Sequence, residues 1–137
     1  MSKNIVVTGA NGFVGHHLVA ELVAAGHNVI GVGQDSEPSP RHNGALSSYI
    51  QCNLTNEDDV KAKISFDGVD AVIHLAGLAN VGQSFAQPAF FIAANAAMSV
   101  NLLQFALDQK VSTRFIVISS GAVYESKQQL PINESGA

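Results

Sequence analysis

The feature that most constrains this chain is a set of three glycines directly after a short β-branched run near the N-terminus. The run is Ile5-Val6-Val7, and the glycines follow in Thr8-Gly9-Ala10-Asn11-Gly12-Phe13-Val14-Gly15. Between a strand and a helix, this spacing permits a tight turn, the close approach of a pyrophosphate and close helix–strand packing. The phosphates then face free N–H groups at a helix N-terminus, where the helix dipole favours anions. A merely tight strand–helix turn without a ligand is the alternative.

Strand and helix signals alternate along the rest of the chain. Short apolar runs predict strands at 5–7, 29–32, 49–50, 71–73 and 115–118, and apolar positions at helical spacing predict helices at 13–25 and 89–109. Another helix begins after Thr55 or Asn56, because either residue can cap it and three acidic residues follow. Residues 34–46, which contain two prolines, are expected to form a loop. The pattern predicts an α/β fold, with a parallel sheet covered by helices on both faces.

The helix predicted at 89–109 carries two apolar stripes. One stripe consists of Phe91, Ala94, Met98, Leu102 and Phe105, and the roughly opposite one of Ile92, Ala93, Ala96, Val100, Leu103 and Leu107. A helix that covers a sheet needs only one apolar stripe, so the second stripe is expected to be covered as well. Its cover is either a neighbouring helix of the same chain or a second subunit in a homodimer.

Composition and charge exclude several classes of partner and site. Seven Lys and Arg residues against eleven Asp and Glu residues give a net charge of −4, without the basic patch that nucleic acid or anionic membranes attract. Residues 71–107 carry no charge, but amide side chains interrupt them, so no membrane span is predicted. The lone Cys52 excludes a disulfide framework, and His16 and His17 diverge on a helix, so no metal site is expected. Without an apolar export signal, the chain is expected in the cytoplasm.

Several ordered segments resemble the extended short-chain dehydrogenase/reductase family, which includes nucleotide-sugar epimerases, dehydratases and reductases. After the glycine loop they are Cys52-Asn53-Leu54, His74-Leu75-Ala76-Gly77, Asn95 with Asn101-Leu102-Leu103, Ile118-Ser119-Ser120 with Val123-Tyr124, and Leu130-Pro131-Ile132-Asn133-Glu134. The resemblance spans the whole chain but only the N-terminal part of a family member. It implies a Rossmann-like doubly wound sheet in three α/β/α layers and an NAD(P) cofactor. It also implies hydride transfer on a nucleotide sugar, by an epimerase or a 4-keto-sugar reductase.

The resemblance also implies roles for individual residues. The expected cofactor-binding residues are Gly9, Asn11, Gly12, Phe13, Val14 and Gly15 at the pyrophosphate, Asn53 and Leu54 at the adenine, Leu75, Ala76 and Gly77 at the nicotinamide ribose, and Asn95 below the active site. Ser120 is the expected catalytic residue, which hydrogen-bonds the reacting oxygen of the substrate. His74 is expected to be a packed histidine at a strand end.

The end of the second strand departs from the family pattern. Gly33 stands where NAD-dependent members carry an acid that binds the ribose hydroxyls. Asp35 either takes over this role or is a solvated loop acid. NAD is favoured over NADP, because Asp35 and Glu37 would repel a 2′-phosphate and no Lys or Arg lies between Gly33 and Pro40. Gly121 and Ala122 stand where sugar dehydratases carry acidic groups, which disfavours a dehydratase.

The catalytic Tyr-x-x-x-Lys pair of the family is absent from this sequence. Asn53 lies four residues after Tyr49, and Gln128 lies four residues after Tyr124. Residues 1–137 are therefore expected to be an NAD(P)-binding Rossmann domain, truncated before the pair and the substrate domain and inactive alone. Two alternatives remain, a non-catalytic dinucleotide sensor and an interaction module that uses the two-stripe helix.

Overall fold

Five parallel strands form the centre of the fold in the computed structural model, which describes residues 1–120 and Tyr124. The strands are β1 (Asn4–Thr8), β2 (Asn28–Gly33), β3 (Ser48–Gln51), β4 (Ala71–His74) and β5 (Arg114–Val117). Their order in the sheet is β3-β2-β1-β4-β5. The direction of winding reverses between β1 and β4, so the carboxyl ends of these two strands open a crevice. The predicted doubly wound sheet is confirmed.

Four α-helices and one short 3₁₀ helix connect the strands. They are α1 (Phe13–Ala24), α2 (Glu57–Lys63), α3 (Val81–Ala86) and α4 (Pro88–Asp108), and the 3₁₀ helix is Pro40–His42. The predictions for α1, α2 and α4 are confirmed, and Asn56 caps α2 by accepting a hydrogen bond from the Asp59 N–H at 3.1 Å. The 3₁₀ helix and α3 were not predicted, because each is too short to show an apolar period.

Helices cover both faces of the sheet, and alternate residues of β1 belong to different cores. Val6 packs with residues of α2 and α4, whereas Ile5 and Val7 pack with Val19 of α1. Successive side chains of a strand point to opposite faces, so one apolar strand serves two cores. The three-layer arrangement follows from this alternation.

The two stripes of α4 have different surroundings. Phe91, Ala94, Met98 and Leu102 of the first stripe are buried, and Phe105 is partly buried. In the second stripe Ile92 is 73% exposed, Val100 59% and Leu107 71%. No element among residues 1–120 covers this stripe, so the first of the two alternatives, a neighbouring helix of the same chain, is not found there. We call the exposed residues Ile92, Val100, Leu103 and Leu107 the outer face of α4.

The amide side chains of α4 do not by themselves exclude a membrane span. Over its most apolar 18 residues α4 has a mean hydropathy of 1.6, which is enough by length and composition. Its contacts are those of a helix in a folded domain, because its first stripe packs on the sheet. The Asn101 side chain also donates a hydrogen bond to the Leu54 carbonyl at 2.9 Å.

Gly121, Ala122, Val123 and residues 125–137 lie outside the described part of the chain.

Candidate functional site

The glycine loop between β1 and α1 is packed so closely that two of its glycines admit no side chain. Gly9 has a φ of +67°, and a Cβ there would lie 2.9 Å from the Ala76 nitrogen. A Cβ on Gly15 would overlap the carbonyl oxygens of Gly9 and Ala10. These contacts hold the start of α1 against the ends of β1 and β4. The tight turn and the close helix–strand packing expected from the spacing are both present.

The N-terminus of α1 is left open. Gly12 is the N-cap and has no side chain to bond the first turn, which also contains no acidic residue. Phe13 and Val14 point their side chains into solvent, at 79% and 58% exposure. The first N–H groups of a helix have no acceptor within the helix, and the helix dipole makes this end positive. The arrangement suits an anion bound by backbone N–H groups.

Three adjoining cavities follow the carboxyl edge of the sheet and together form one cleft. The central cavity, about 370 Å³, is lined by Gly9, Asn11, Gly12, Gly33, Gln34, Asp35, Cys52, Leu54, Ala76, Gly77, Leu78 and Met98. The helix-side cavity, about 500 Å³, is lined by Gln34, Asn53, Thr55, Leu78, Phe90, Ala93, Ala94, Ala97 and Met98. The serine-side cavity, about 520 Å³, is lined by His74, Leu75, Ala76, Gly77, Leu78, Ala79, Asn95, Ser99, Ile118, Ser119 and Ser120. Leu78 lines all three cavities, so they adjoin one another at this residue.

Most of the residues predicted to form a site line this cleft. The central cavity contains Gly9, Asn11, Gly12, Asp35, Leu54, Ala76 and Gly77, the helix-side cavity contains Asn53, and the serine-side cavity contains Leu75, Asn95 and Ser120. The side chains of Phe13 and Val14 do not line it, and Gly15 packs beneath the loop. Only backbone groups of these three residues are therefore suitably placed for a ligand.

The side chain of Asn11 joins the glycine loop to the segment after β2. Its Nδ2 atom donates to Asp35 Oδ2 at 2.8 Å and lies 3.1 Å from the Glu37 carbonyl and 3.2 Å from Tyr49 Oη. Its Oδ1 atom accepts a hydrogen bond from the Ser39 N–H at 2.8 Å. Asp35 is thereby held at the edge of the central cavity. Its carboxylate is fixed by a specific contact within the loop.

A hydrogen-bonded group of side chains forms the floor of the serine-side cavity. His74 Nδ1 lies 2.7 Å from Thr8 Oγ1, and its Nε2 lies 3.1 Å from Ser99 Oγ. Burial lowers the pKa of His74, so its imidazole is neutral at neutral pH. The Asn95 amide accepts from the Leu78 N–H at 2.7 Å and donates to the Leu78 carbonyl at 3.1 Å. His74 is thus the packed strand-end histidine that was predicted.

Two histidines form a contact that the sequence did not predict. The rings of His16 and His42 stack with centroids 4.7 Å apart, and His16 Nδ1 donates to the Gly12 carbonyl at 2.7 Å. His42 is buried and His16 is partly buried, whereas His17 is exposed. Burial and the neighbouring His16 lower the pKa of His42. Among the described residues no group of three or more His, Cys, Asp or Glu side chains is suitable for a metal ion.

The only cysteine lines the central cavity, but its thiol is unreactive at neutral pH. Burial raises the pKa of Cys52 to about 11, and the Asp59 carboxylate adds to the effect. A thiol with such a pKa is almost entirely protonated at neutral pH, and the thiolate is the nucleophilic form. Cys52 therefore contributes shape to the cleft rather than reactivity.

Several residues that shape the cleft were missed from the sequence. Tyr49 contacts the Asn11 side chain, and Gln34, Leu78 and Met98 each line more than one cavity. The role of Leu78 could have been predicted, because this residue directly follows the predicted Leu75-Ala76-Gly77 segment. Tyr49 gave no local signal, because its contact with Asn11 joins residues 38 positions apart.

The model of the NAD dependent epimerase/dehydratase family matches residues 5–137. A UDP-glucose 4-epimerase of Caenorhabditis elegans is 34% identical over 96% of this chain, and UDP-glucose 4-epimerase 4 of Oryza sativa subsp. japonica is 33% identical over 97%. The chain spans only 42% and 38% of the lengths of these two relatives.

Solved structures agree with these sequence relatives. The UDP-glucose 4-epimerase of Stenotrophomonas maltophila, solved with bound NAD and formylated UDP-arabinopyranose, superposes with a TM-score of 0.81 and 27% identity. The enzyme of Bifidobacterium longum, in complex with NAD⁺ and UDP, gives a TM-score of 0.80 and 29% identity. Each match covers 98% of this chain and 42% of the solved one. The glycine loop, the strand order and these relatives together show that the chain belongs to the NAD dependent epimerase/dehydratase family.

Proposed function

We propose that this chain binds NAD in the cleft, as the dinucleotide-binding part of a UDP-sugar 4-epimerase. The observation that carries the proposal is the cleft of three adjoining cavities at the carboxyl ends of β1 and β4, bordered by the open N-terminus of α1. Open α/β sheets bind ligands at this point of reversed strand order. The names of the relatives support the epimerase over the 4-keto-sugar reductase.

The residues of the cleft fit the parts of a dinucleotide. The uncapped first turn of α1 suits the pyrophosphate, and the apolar wall of Phe90, Ala93 and Ala97 suits a flat base. The three cavities have no Lys or Arg among their lining residues, whereas Asp35 stands at the edge. A carboxylate accepts hydrogen bonds from ribose hydroxyls and repels a 2′-phosphate, which favours NAD over NADP.

The serine-side cavity is where we propose that the sugar reacts. When bound, NAD supplies an acceptor and donor of hydride. Ser120 would donate a hydrogen bond to the reacting oxygen of the sugar, while Asn95 fixes the backbone of Leu78 beside it. The sequence holds no Tyr-x-x-x-Lys pair, so no proton transfer is assigned to this chain. On this proposal residues 1–137 form one NAD-binding domain, located in the cytoplasm.

The glycine loop provides the test of the proposal. In Gly12→Val the added Cβ makes one close contact, 3.1 Å from the Gly9 carbonyl oxygen, which a shift of a few tenths of an ångström relieves, so the fold should persist and circular dichroism checks it. The added methyl groups block the approach of the pyrophosphate, and we expect calorimetry to show at least about 100-fold weaker NAD binding, since several charge-assisted hydrogen bonds are lost. Ala20→Val, on the exposed side of α1, is the matched control and should bind as the wild type does. Equal affinities in the folded variants would refute the assignment of the site.

A second proposal is that the outer face of α4 forms a homodimer contact. Burying a Leu or Ile side chain contributes roughly 1.5–3 kcal/mol, so several exposed side chains on one face favour association. Val100→Glu should shift the chain towards monomer in sedimentation velocity, whereas Ser112→Glu, in the exposed segment after α4, should not. A wild-type monomer at micromolar concentrations would contradict this proposal and leave NAD binding unaffected.

A further inference from the structure

The space beside the end of β2 is already filled. A Cβ on Gly33 would overlap Tyr49 Oη and would lie 3.3 Å from Tyr49 Cζ. The ring of Tyr49 also closes the space beside Gly31, where a Cβ would lie 3.1 Å from Tyr49 Cδ2. An acidic side chain therefore does not fit at the strand end while Tyr49 keeps this position.

The nearest carboxylate at the cleft belongs to Asp35, which lies two residues beyond the strand end. Asp35 is exposed on an irregular segment, where a side chain would ordinarily sample many rotamers. Here Asn11 Nδ2 donates a hydrogen bond to Asp35 Oδ2 at 2.8 Å. Asn11 Oδ1 accepts a second hydrogen bond from the Ser39 N–H of the same segment. The Asn11 amide thus contacts the segment on both sides of Glu37.

Building on the proposed NAD binding, we propose that Asn11 and Tyr49 are positioning residues that hold Asp35 in the role of the missing strand-end acid and so set the preference for NAD over NADP. Asn11 engages only one carboxylate oxygen, which leaves Oδ1 for a ribose hydroxyl. A 2′-phosphate at that place would meet the fixed negative charge of Asp35. Holding the carboxylate still increases the discrimination, because a free side chain could turn away from the phosphate.

Tyr49 supports this arrangement in two ways. Its hydroxyl accepts from Asn11 Nδ2 at 3.2 Å, which helps to fix the orientation of the amide. Burial and the Asp35 carboxylate raise the pKa of Tyr49, so the hydroxyl remains neutral and does not repel Asp35.

Two simpler roles of Asn11 predict different dinucleotide affinities from those that this inference predicts. If Asn11 only contacts the pyrophosphate, its loss weakens NAD and NADP equally, since both contain that group. If Asn11 only fastens the loop, its loss changes local stability and leaves the ratio of the two affinities unchanged. The ratio Kd(NADP)/Kd(NAD) is therefore the decisive quantity.

The test measures the binding of NAD and NADP by calorimetry to the whole chain and to a set of variants. Asn11→Ala should lower Kd(NADP)/Kd(NAD) about tenfold, because it removes a hydrogen bond to a charged group. Tyr49→Phe should lower the ratio less, in the same direction. Asn28→Ala is the matched control, because Asn28 makes a similar contact with Asn4 at the opposite edge of the sheet and should leave the ratio unchanged.

A double-mutant cycle identifies the carboxylate through which Asn11 acts. In an Asp35→Asn background, Asn11→Ala should not change the ratio further, since the charge that it positions is gone. Hydrogen exchange of the Ser39 amide in the free chain should become faster in Asn11→Ala, which checks the contact without any ligand. A ratio unaffected by Asn11→Ala and Tyr49→Phe in a chain that binds NAD would overturn this inference alone. A chain that binds neither dinucleotide would overturn the proposed function and this inference with it.

Discussion

Helices α1 and α2 both follow strands of the same sheet, but only α2 has side chains that cap its first turn and balance the positive end of the helix dipole. At α2, Asn56 caps the first turn, and Glu57, Asp58 and Asp59 occupy it. At α1, the N-cap is Gly12 and the first turn holds no acidic side chain. The N-terminus of α2 is satisfied by side chains of its own sequence, whereas that of α1 has no such side chain.

The difference teaches where an anion can bind in this fold. Asp59 also accepts a hydrogen bond from the Asn53 N–H at 2.7 Å, so even an N–H group three residues before the cap is bonded locally. The short helix α3 follows the pattern of α2, because Asn80 accepts from the Gln83 N–H at 3.0 Å. Helix α4 also lacks a side-chain cap and a first-turn acid, but it follows α3 rather than a strand and begins with Pro88. An uncapped helix start that follows a strand through a glycine loop, as at α1, is therefore a stronger indication of a phosphate site than either feature alone.

The largest effect is expected from breaking the packing under α1. Gly15→Ala places a methyl group against the carbonyls of Gly9 and Ala10, which cannot move without displacing the loop. We expect the free energy of unfolding to fall by about 3 kcal/mol in denaturant titrations. Gly82→Ala in α3 is the control, because its Cβ would meet only Asn80 Oδ1 at an ordinary 3.5 Å. Equal stabilities of the two variants would contradict the packing described for the loop.

Breaking the start of α2 should have a smaller effect and should leave the proposed ligand site intact. Asn56→Ala removes the acceptor for the Asp59 N–H and should lower the free energy of unfolding by about 1 kcal/mol. NAD affinity should not change, since Asn56 lines none of the three cavities of the cleft. Asn56→Ser should restore most of the lost stability. A loss of NAD binding in Asn56→Ala would show that the two helix starts are not independent.

The smallest expected effect is a difference in the pH at which local stability falls in two regions, around His42 beside α1 and around Asp59 in α2. The pKa of His42, which stacks on His16 of α1, lies below its ordinary 6.5, so its contribution to stability is complete above pH 6.5 and is lost as the pH falls through the folded value. The pKa of Asp59 is lowered below 3.8 by the Lys63 ammonium and the Asn53 N–H, so its contribution persists until the pH falls below 3.8. As the pH falls between these values, the protection factor against hydrogen exchange should decrease at the His42 amide before it decreases at the Asp59 amide.

A variant makes the pH experiment specific. His42→Gln should remove the pH dependence at residue 42 while leaving the Asp59 amide as it was. Exchange is measured locally because burial also lowers the pKa of His74, which affects global stability in the same direction. A simultaneous decrease of the protection factor at both amides in the wild type would contradict the separation of the two regions.

The sequence predicted those features that depend on neighbouring residues. The cap at Asn56, the glycine loop and the buried stripe of α4 each follow from spacing over a few turns or less. The contact between Asn11 and Asp35 joins residues 24 positions apart, and no periodicity precedes it. Helix α3 contains only six residues, too few for a period, although Asn80 and Gln83 have the spacing of a capping motif. Long-range polar contacts in the loop after β2 therefore required the structure.

The overlap between a side chain at position 33 and the Tyr49 hydroxyl also constrains how this chain can evolve. Acquiring a strand-end acid by Gly33→Asp alone would require the Tyr49 side chain to move aside, which would break its contact with Asn11. After Tyr49 has been replaced by a smaller residue, the same substitution becomes acceptable. The effect of an acid at position 33 therefore depends on the residue at position 49, and the two positions are coupled through the space that they share.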